Sequence, residues 1–283
     1  MKKVWLIVVF GIFLFAISLF FGIPELEKAK VAKINIAGQI NYGSYYTDPV
    51  SISENIERAN EDPLTEAFLF TINSPGGSVV ASKHVMQKIK SIEKPTVCKI
   101  NDLGASGAYW IASACDHIVS DPLSMVGGIG VTGSYLEYSG LFDKYGIDYE
   151  RLVSGKYKDT GTSYRNLTER EREKLMKKIN EIHKAFMISV SENRGLNLST
   201  VKNISDGTVY LGNKGKKIGL IDQLGGEDEV EDILKSELGR EIRYEEFRKE
   251  VSVTDILSAK SENQKLIKNL LSTERIVKIP KVN

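Results

Sequence analysis

The chain has 283 residues, 42% of them apolar and 27% charged, a composition that excludes disorder and leaves room for one large domain or two small ones. Lys and Arg number 38 and Asp and Glu 37, for a net charge of +1, and the two signs are interspersed along the chain. Nothing in that balance draws the protein toward nucleic acid.

Residues 4–23 hold no charge or strong polar group over about the 20 positions a helix needs to cross hydrocarbon. A cleaved leader has a shorter apolar core, roughly 7 to 15 residues, and ends in small residues. This run instead ends Leu19-Phe20-Phe21-Gly22-Ile23-Pro24, which predicts an uncleaved anchor. Lys2 and Lys3 precede it and Glu25 and Glu27 follow, so the positive-inside rule keeps the N-terminus cytoplasmic and puts the remainder outside.

From residue 31 short apolar runs alternate with helical patterns: strands at 31–37, 67–72, 96–100 and 117–120, helices at 52–59, 78–92 and about 106–114. The alternation predicts crossover units in an α/β fold, and the nearly all-apolar strands predict a sheet covered on both faces. Cys98 lies in an apolar run and Cys115 in an Ala-rich helical stretch, so both are expected to be buried free thiols rather than a disulfide. Thr168-Glu169-Arg170-Glu171 is a capping box, and Leu175, Ile179, Ile182, Phe186 and Val190 then recur at helical spacing up to Gly195. That oily face is expected to pack on its own sheet, with a neighbouring subunit as the alternative. Past Gly226 the chain is strongly charged, with two expected helices and a tail at 276–280 that has no evident core to join.

Ser106, in Gly104-Ala105-Ser106-Gly107-Ala108-Tyr109, is the candidate nucleophile. About 30 residues earlier, the length of a crossover unit, stands Asn73-Ser74-Pro75-Gly76-Gly77. Acyl transfer builds negative charge on an oxygen, and backbone amides freed of Cβ by Gly76, Gly77 and Gly107 could meet it. A hydroxyl also needs a base to take its proton. His84, His117 and His183 each read more easily as ordinary helix or strand residues. A lysine can serve if removal from water keeps it neutral. Lys158, in the turn-rich stretch Ser154-Gly155-Lys156-Tyr157-Lys158-Asp159, is one candidate by spacing, and a solvated loop lysine is the other reading of the same residue.

These three segments in this order closely resemble the signal peptide peptidase A family of membrane-anchored Ser-Lys proteases, in its short, single-domain form. The resemblance covers roughly residues 31–225 and extends to Asp206-Gly207-Thr208-Val209-Tyr210 and Gly219-Leu220-Ile221-Asp222. It implies Ser106 as nucleophile, Lys158 as general base, and an oxyanion hole at Gly76, Gly77 and Gly107, with no metal or other cofactor. It further implies a Clp protease/crotonase-like fold of repeated β-β-α units behind one N-terminal transmembrane helix. The expected division is an anchor at 1–24, a peptidase domain at 25–225 and a charged C-terminal segment at 226–283. The expected partners are peptide substrates such as remnant signal peptides, the membrane, and further copies of the chain, because in this family serine and lysine can come from different subunits.

One departure stands out: where the family commonly has a serine that steadies the lysine, this chain has Gly128, leaving Ser124, Thr132 or a water as substitutes. Residues 128–133 also spell a dinucleotide fingerprint, with Asp148 about 20 residues on, but too deep in the domain to follow a first strand. An α/β-hydrolase elbow would need glycine where Ala108 stands. A stomatin-partner type of Ser-Lys membrane protease and a non-catalytic membrane scaffold remain as alternatives.

Overall fold

The structure, a computed structural model, describes residues 28–44 and 47–248; the expected anchor at 4–23 and the tail at 276–280 lie outside them. Among the described residues no helix is long and apolar enough to cross a membrane.

The elements in chain order are β1 (Ala29–Ala37), α1 (Pro49–Glu61), β2 (Thr65–Ser74), α2 (Val79–Lys90), β3 (Thr96–Ala105), α3 (Gly107–Ala112), β4 (His117–Ser120), β5 (Met125–Gly127), α4 (Ser139–Tyr145), α5 (Glu169–Arg194), α6 (Leu198–Asn203), β6 (Val209–Leu211), α7 (Gly212–Lys217), β7 (Gln223–Leu224), α8 (Glu227–Leu238) and β8 (Ile242–Glu246). They build a mixed sheet in the order β6-β5-β3-β2-β1-β8, with β4 joining β3 to β7. All pairings are parallel except β5 with β6. The β-β-α order survives in β4-β5-α4, whereas the first three strands run β-α, with Ile40 forming only an isolated bridge to Gly77.

The strands read as apolar runs because successive side chains alternate between two covered faces. On β2, Phe68, Phe70 and Ile72 enter the larger core beneath α1, α2 and α3, while Ala67 and Leu69 enter the smaller one beneath α8. Asp48 caps α1 by accepting from Val50 N at 2.8 Å, and Pro49 occupies the first turn, where its missing N–H costs nothing.

One expectation is corrected. Cys98 and Cys115 form a disulfide, because parallel pairing of β3 with β4 folds the strand-helix unit back until their Cα atoms are 5.9 Å apart. The first compact unit runs to Phe247. Val230 and Leu234, one turn apart on α8, are buried, and residues 242–246 form a strand pairing parallel to β1; the second of the two helices expected past Gly226 is not among the described residues. The long helix α5 divides its oily face: Phe186 and Val190 are in the core, while Leu175, Ile179 and Ile182 stay half-exposed.

Candidate active site

Ser106 stands between the last residue of β3 and the first of α3, with φ 54° and ψ −126°, the single non-glycine residue of positive φ among the described residues. Such backbone costs on the order of 1–3 kcal/mol and persists only where its surroundings hold it. Here Ser106 N donates to Gly127 O on β5 at 2.8 Å, and Ser106 O accepts from Trp110 N at 3.0 Å. All six residues of α3 are buried, and Tyr109 donates its hydroxyl to Leu220 O at 2.9 Å, so the helix behind the serine cannot drift. Burial pushes the Tyr109 phenol far above its ordinary range, which keeps that donor protonated.

The turn after β2 comes up against this junction. A Cβ on Gly77 would be driven into the Ile40 carbonyl, and one on Gly107 into the Ser82 hydroxyl. Both positions therefore require glycine, and their closeness brings the two amides together: the missing Gly107 Cβ would lie 3.3 Å from Gly77 N. Neither amide donates to any group among the described residues. Gly76 differs. Its N–H goes to Ser74 Oγ at 3.1 Å and its carbonyl accepts from Ile40 N at 2.9 Å, so Gly76 shapes the turn and does not supply a free donor.

Ser106, Gly76, Gly77 and Gly107 line one cavity of about 290 Å³, walled by Val79, Ser82, Trp110, Val131, Thr132 and Phe186. Trp110 and Phe186 stack there with centroids 4.5 Å apart. Sequence reasoning missed these walls, which come from α2, α3, α5 and the segment after β5. The helical spacing of Val79 and Ser82 just past the glycine turn was the one signal that could have found two of them.

No histidine lines this cavity. His84 sits 3.4 Å from both Tyr42 Oη and Ser53 Oγ, His117 sits 3.5 Å from Glu237, and His183 rides on α5. Lys158 does not line it either. It is exposed, in a run of turns just before α5, and makes no ion pair among the described residues. The next residue is held firmly: Asp159 accepts two bonds from Arg151, both at 2.7 Å, and two from Arg165, both at 3.1 Å. Arg165 also forks onto Glu171 at 2.9 and 2.7 Å. Arg151 and then Arg165 hold the Asp159 carboxyl well below the usual carboxylate range, and Arg165 does the same to Glu171. Between Glu171, which anchors this segment, and Phe186, which walls the cavity, α5 rises about 22 Å.

Gly128 has φ 61°, and a Cβ there would lie 3.3 Å from Ser106 N and 3.2 Å from a Val209 methyl. Of the substitutes, Ser124 spends its hydroxyl on the Asn101 carbonyl, whereas Thr132 lies on the cavity wall.

An alcohol held beside two unpaired amides over a cavity of mixed polarity is the arrangement of serine hydrolases as a class. Residues 88–240 match peptidase family S49. A protein of Methanocaldococcus jannaschii, provisionally named a protease, is 34% identical over 212 residues, covering 71% of this chain and 68% of that one. An Enterococcus faecium protein provisionally named signal peptide peptidase SppA is 31% identical over 64% of this chain and 54% of its own, and the chloroplastic serine protease SPPA of Arabidopsis thaliana is 30% identical over 72% of this chain and 32% of its own. The chain belongs to peptidase family S49, the signal peptide peptidase A family, and is a serine peptidase.

Proposed function

We propose that the protein is a membrane-anchored Ser-Lys endopeptidase that cleaves remnant signal peptides or similar membrane-derived peptides outside the cytoplasmic membrane. Ser106 attacks the scissile carbonyl, and its proton passes to the neutral Lys158 amine, which returns it to the departing amine of the product. The Gly77 and Gly107 amides receive the oxyanion, each contributing about 10²-fold or more to the rate. The domain has a Clp protease/crotonase-like fold, and residues 4–23 anchor it with the N-terminus in the cytoplasm.

The observation that carries this reading is the strained Ser106 beside two amides with no bond of their own, in a cavity that no histidine reaches. Lys158 is supplied by a neighbouring protomer. In support, the segment between β5 and α5 carries Leu136, Leu141, Tyr145 and Leu152 at 69%, 51%, 68% and 85% exposure, and α4 buries none of its residues. A second copy covering that apolar surface also covers Lys158, and desolvation favours the neutral form of an amine. The experiment is peptide turnover by the full chain in detergent: Ser106→Ala and Lys158→Ala each lose activity while remaining folded, and unchanged turnover in both overturns the Ser106-Lys158 dyad.

A further inference from the structure

The segment that carries Lys158 has almost no apolar anchorage of its own. From residue 132 to 167 most residues are exposed, and no residue of α4 is buried. A chain so placed is ordinarily mobile, whereas a proton acceptor has to stand within hydrogen-bond reach of its partner in every turnover. Its ring contacts are mostly internal, Phe142 and Tyr149 against Tyr164, and apart from Lys174 of α5 over the Tyr157 ring at 4.5 Å the side-chain links to the start of α5 are polar and converge on the residue adjoining Lys158. The Asp159 and Glu171 side chains are 11% and 3% exposed, and one guanidinium, that of Arg165 at 21%, joins them.

Two further bonds in this cluster serve the same connection. Thr160 Oγ1 donates to Glu171 Oε1 at 3.1 Å, and Glu171 Oε2 accepts from Thr168 N at 2.9 Å as the reciprocal half of the α5 capping box. Arg151 ties Asp159 to the chain before the turn and donates to Lys156 O at 3.1 Å, but it does not reach α5. Lys158 N donates to Gly155 O at 3.0 Å and Thr162 N to Asp159 O at 3.0 Å, so the backbone on both sides of Lys158 is pinned while its side chain is left exposed. The cluster thus joins a mobile-prone turn to the first turn of a 26-residue helix whose far end is packed in the core.

We propose that Arg165 is a positioning residue for Lys158: by forking onto both Asp159 and Glu171 it sets the height and direction from which the lysine is presented to Ser106. The inference rests on the reading of Lys158 as general base. A planar guanidinium satisfies two carboxylates at fixed angles, which the point charge of a lysine does not, so even Arg165→Lys fails to replace it. A misplacement of about 1 Å at a reacting group costs about 10²-fold in rate.

The test is steady-state kinetics on a peptide substrate with the full-length Arg165→Gln, Arg165→Lys and Asp159→Asn variants, alongside Lys158→Ala and with circular dichroism as the check of fold. The expected result is a fall of about 10²-fold in kcat with KM unchanged for both Arg165 variants, and at least as large a fall for Asp159→Asn, which releases Arg151 as well. Partial recovery of Arg165→Gln with added guanidinium ion is expected, which loss of bulk structure would not allow. Normal kcat in folded Arg165→Gln beside an inactive Lys158→Ala overturns the positioning role alone, and full activity in Lys158→Ala overturns the dyad itself. If Arg165→Gln does not fold, Asp159→Asn decides, and normal kcat there overturns the proposal.

Discussion

The Ser106 amide donates to the Gly127 carbonyl across 2.8 Å, which makes the backbone of the candidate nucleophile the last rung of the β3–β5 ladder. Gly128 follows at φ 61°, with Ser106 N at 3.3 Å from the Cβ it lacks. Placing a serine at this position therefore puts a side chain in left-handed backbone against the serine junction. Gly128→Ser is expected to lower stability by about 1–2 kcal/mol and to bring no gain in turnover. Chemical denaturation checks the first part, and a variant as stable as the parent and more active shows that the turn tolerates the hydroxyl.

Gly77 has the Ile40 carbonyl where a Cβ would go, and it lines the cavity. In Gly77→Ala the loop must shift, at about 1–3 kcal/mol, and the displaced amide is expected to cost about 10²-fold in kcat. Gly76→Ala strains its turn, at φ 94°, and its Cβ would meet Gly107 N at 2.6 Å, so it is expected to slow turnover through the second amide although its own amide is committed to Ser74. A folded Gly77→Ala with the parent kcat would remove Gly77 from the oxyanion site.

Tyr109 secures α3 through one buried hydrogen bond, hydroxyl to Leu220 O. Tyr109→Phe keeps the packing and leaves that carbonyl short of a donor, so a loss of about 1–2 kcal/mol is expected, read as a lower thermal midpoint. No change would mean that Leu220 O finds another donor when the hydroxyl is gone.

Acid is expected to loosen the segment around Lys158 before it unfolds the core. The carboxyls of Asp159 and Glu171 are held below their ordinary values, chiefly by Arg151 and by Arg165 respectively. For a depressed carboxyl the stabilisation is complete above the unfolded value, about 4, and is lost as pH falls through the folded one. Proteolytic nicking between residues 150 and 168 should therefore increase below about pH 4 while β-sheet dichroism persists. In Glu171→Gln the same nicking should already be present at neutral pH, and loss of sheet and segment together at one pH counts against separate anchorage.

Much of this arrangement was legible in the residues themselves. Residues 67–72 and 117–120 are strands, and the capping box at Thr168 opens the long helix that Gly195 ends. The end of β3 was not, because Asn101 and Asp102 interrupt its apolar run just before the half that pairs with β5 and delivers Ser106. Nor was β8, whose Ile-Arg-Tyr-Glu-Glu is the composition of a half-exposed edge strand rather than a buried one. The motifs picked out Ser106, Gly77 and Gly107, whose closeness follows from neighbouring parallel strands ending at one edge. The resemblance names Lys158 but not where it stands, since its segment packs little against its own chain and the groups that hold the neighbouring Asp159 include Arg165, several residues on. The Cys98–Cys115 pairing escaped for a related reason: an apolar context predicts burial, not which neighbour a fold brings alongside.

Complementation between inactive chains tests the central claim most directly. Ser106→Ala and Lys158→Ala chains are co-expressed, purified together, and assayed for peptide turnover against each variant assembled alone. A dyad shared between neighbouring protomers predicts that activity returns in the mixed assembly, where one chain offers its lysine to the serine of the other. A mixed assembly as inactive as its two parents contradicts that arrangement.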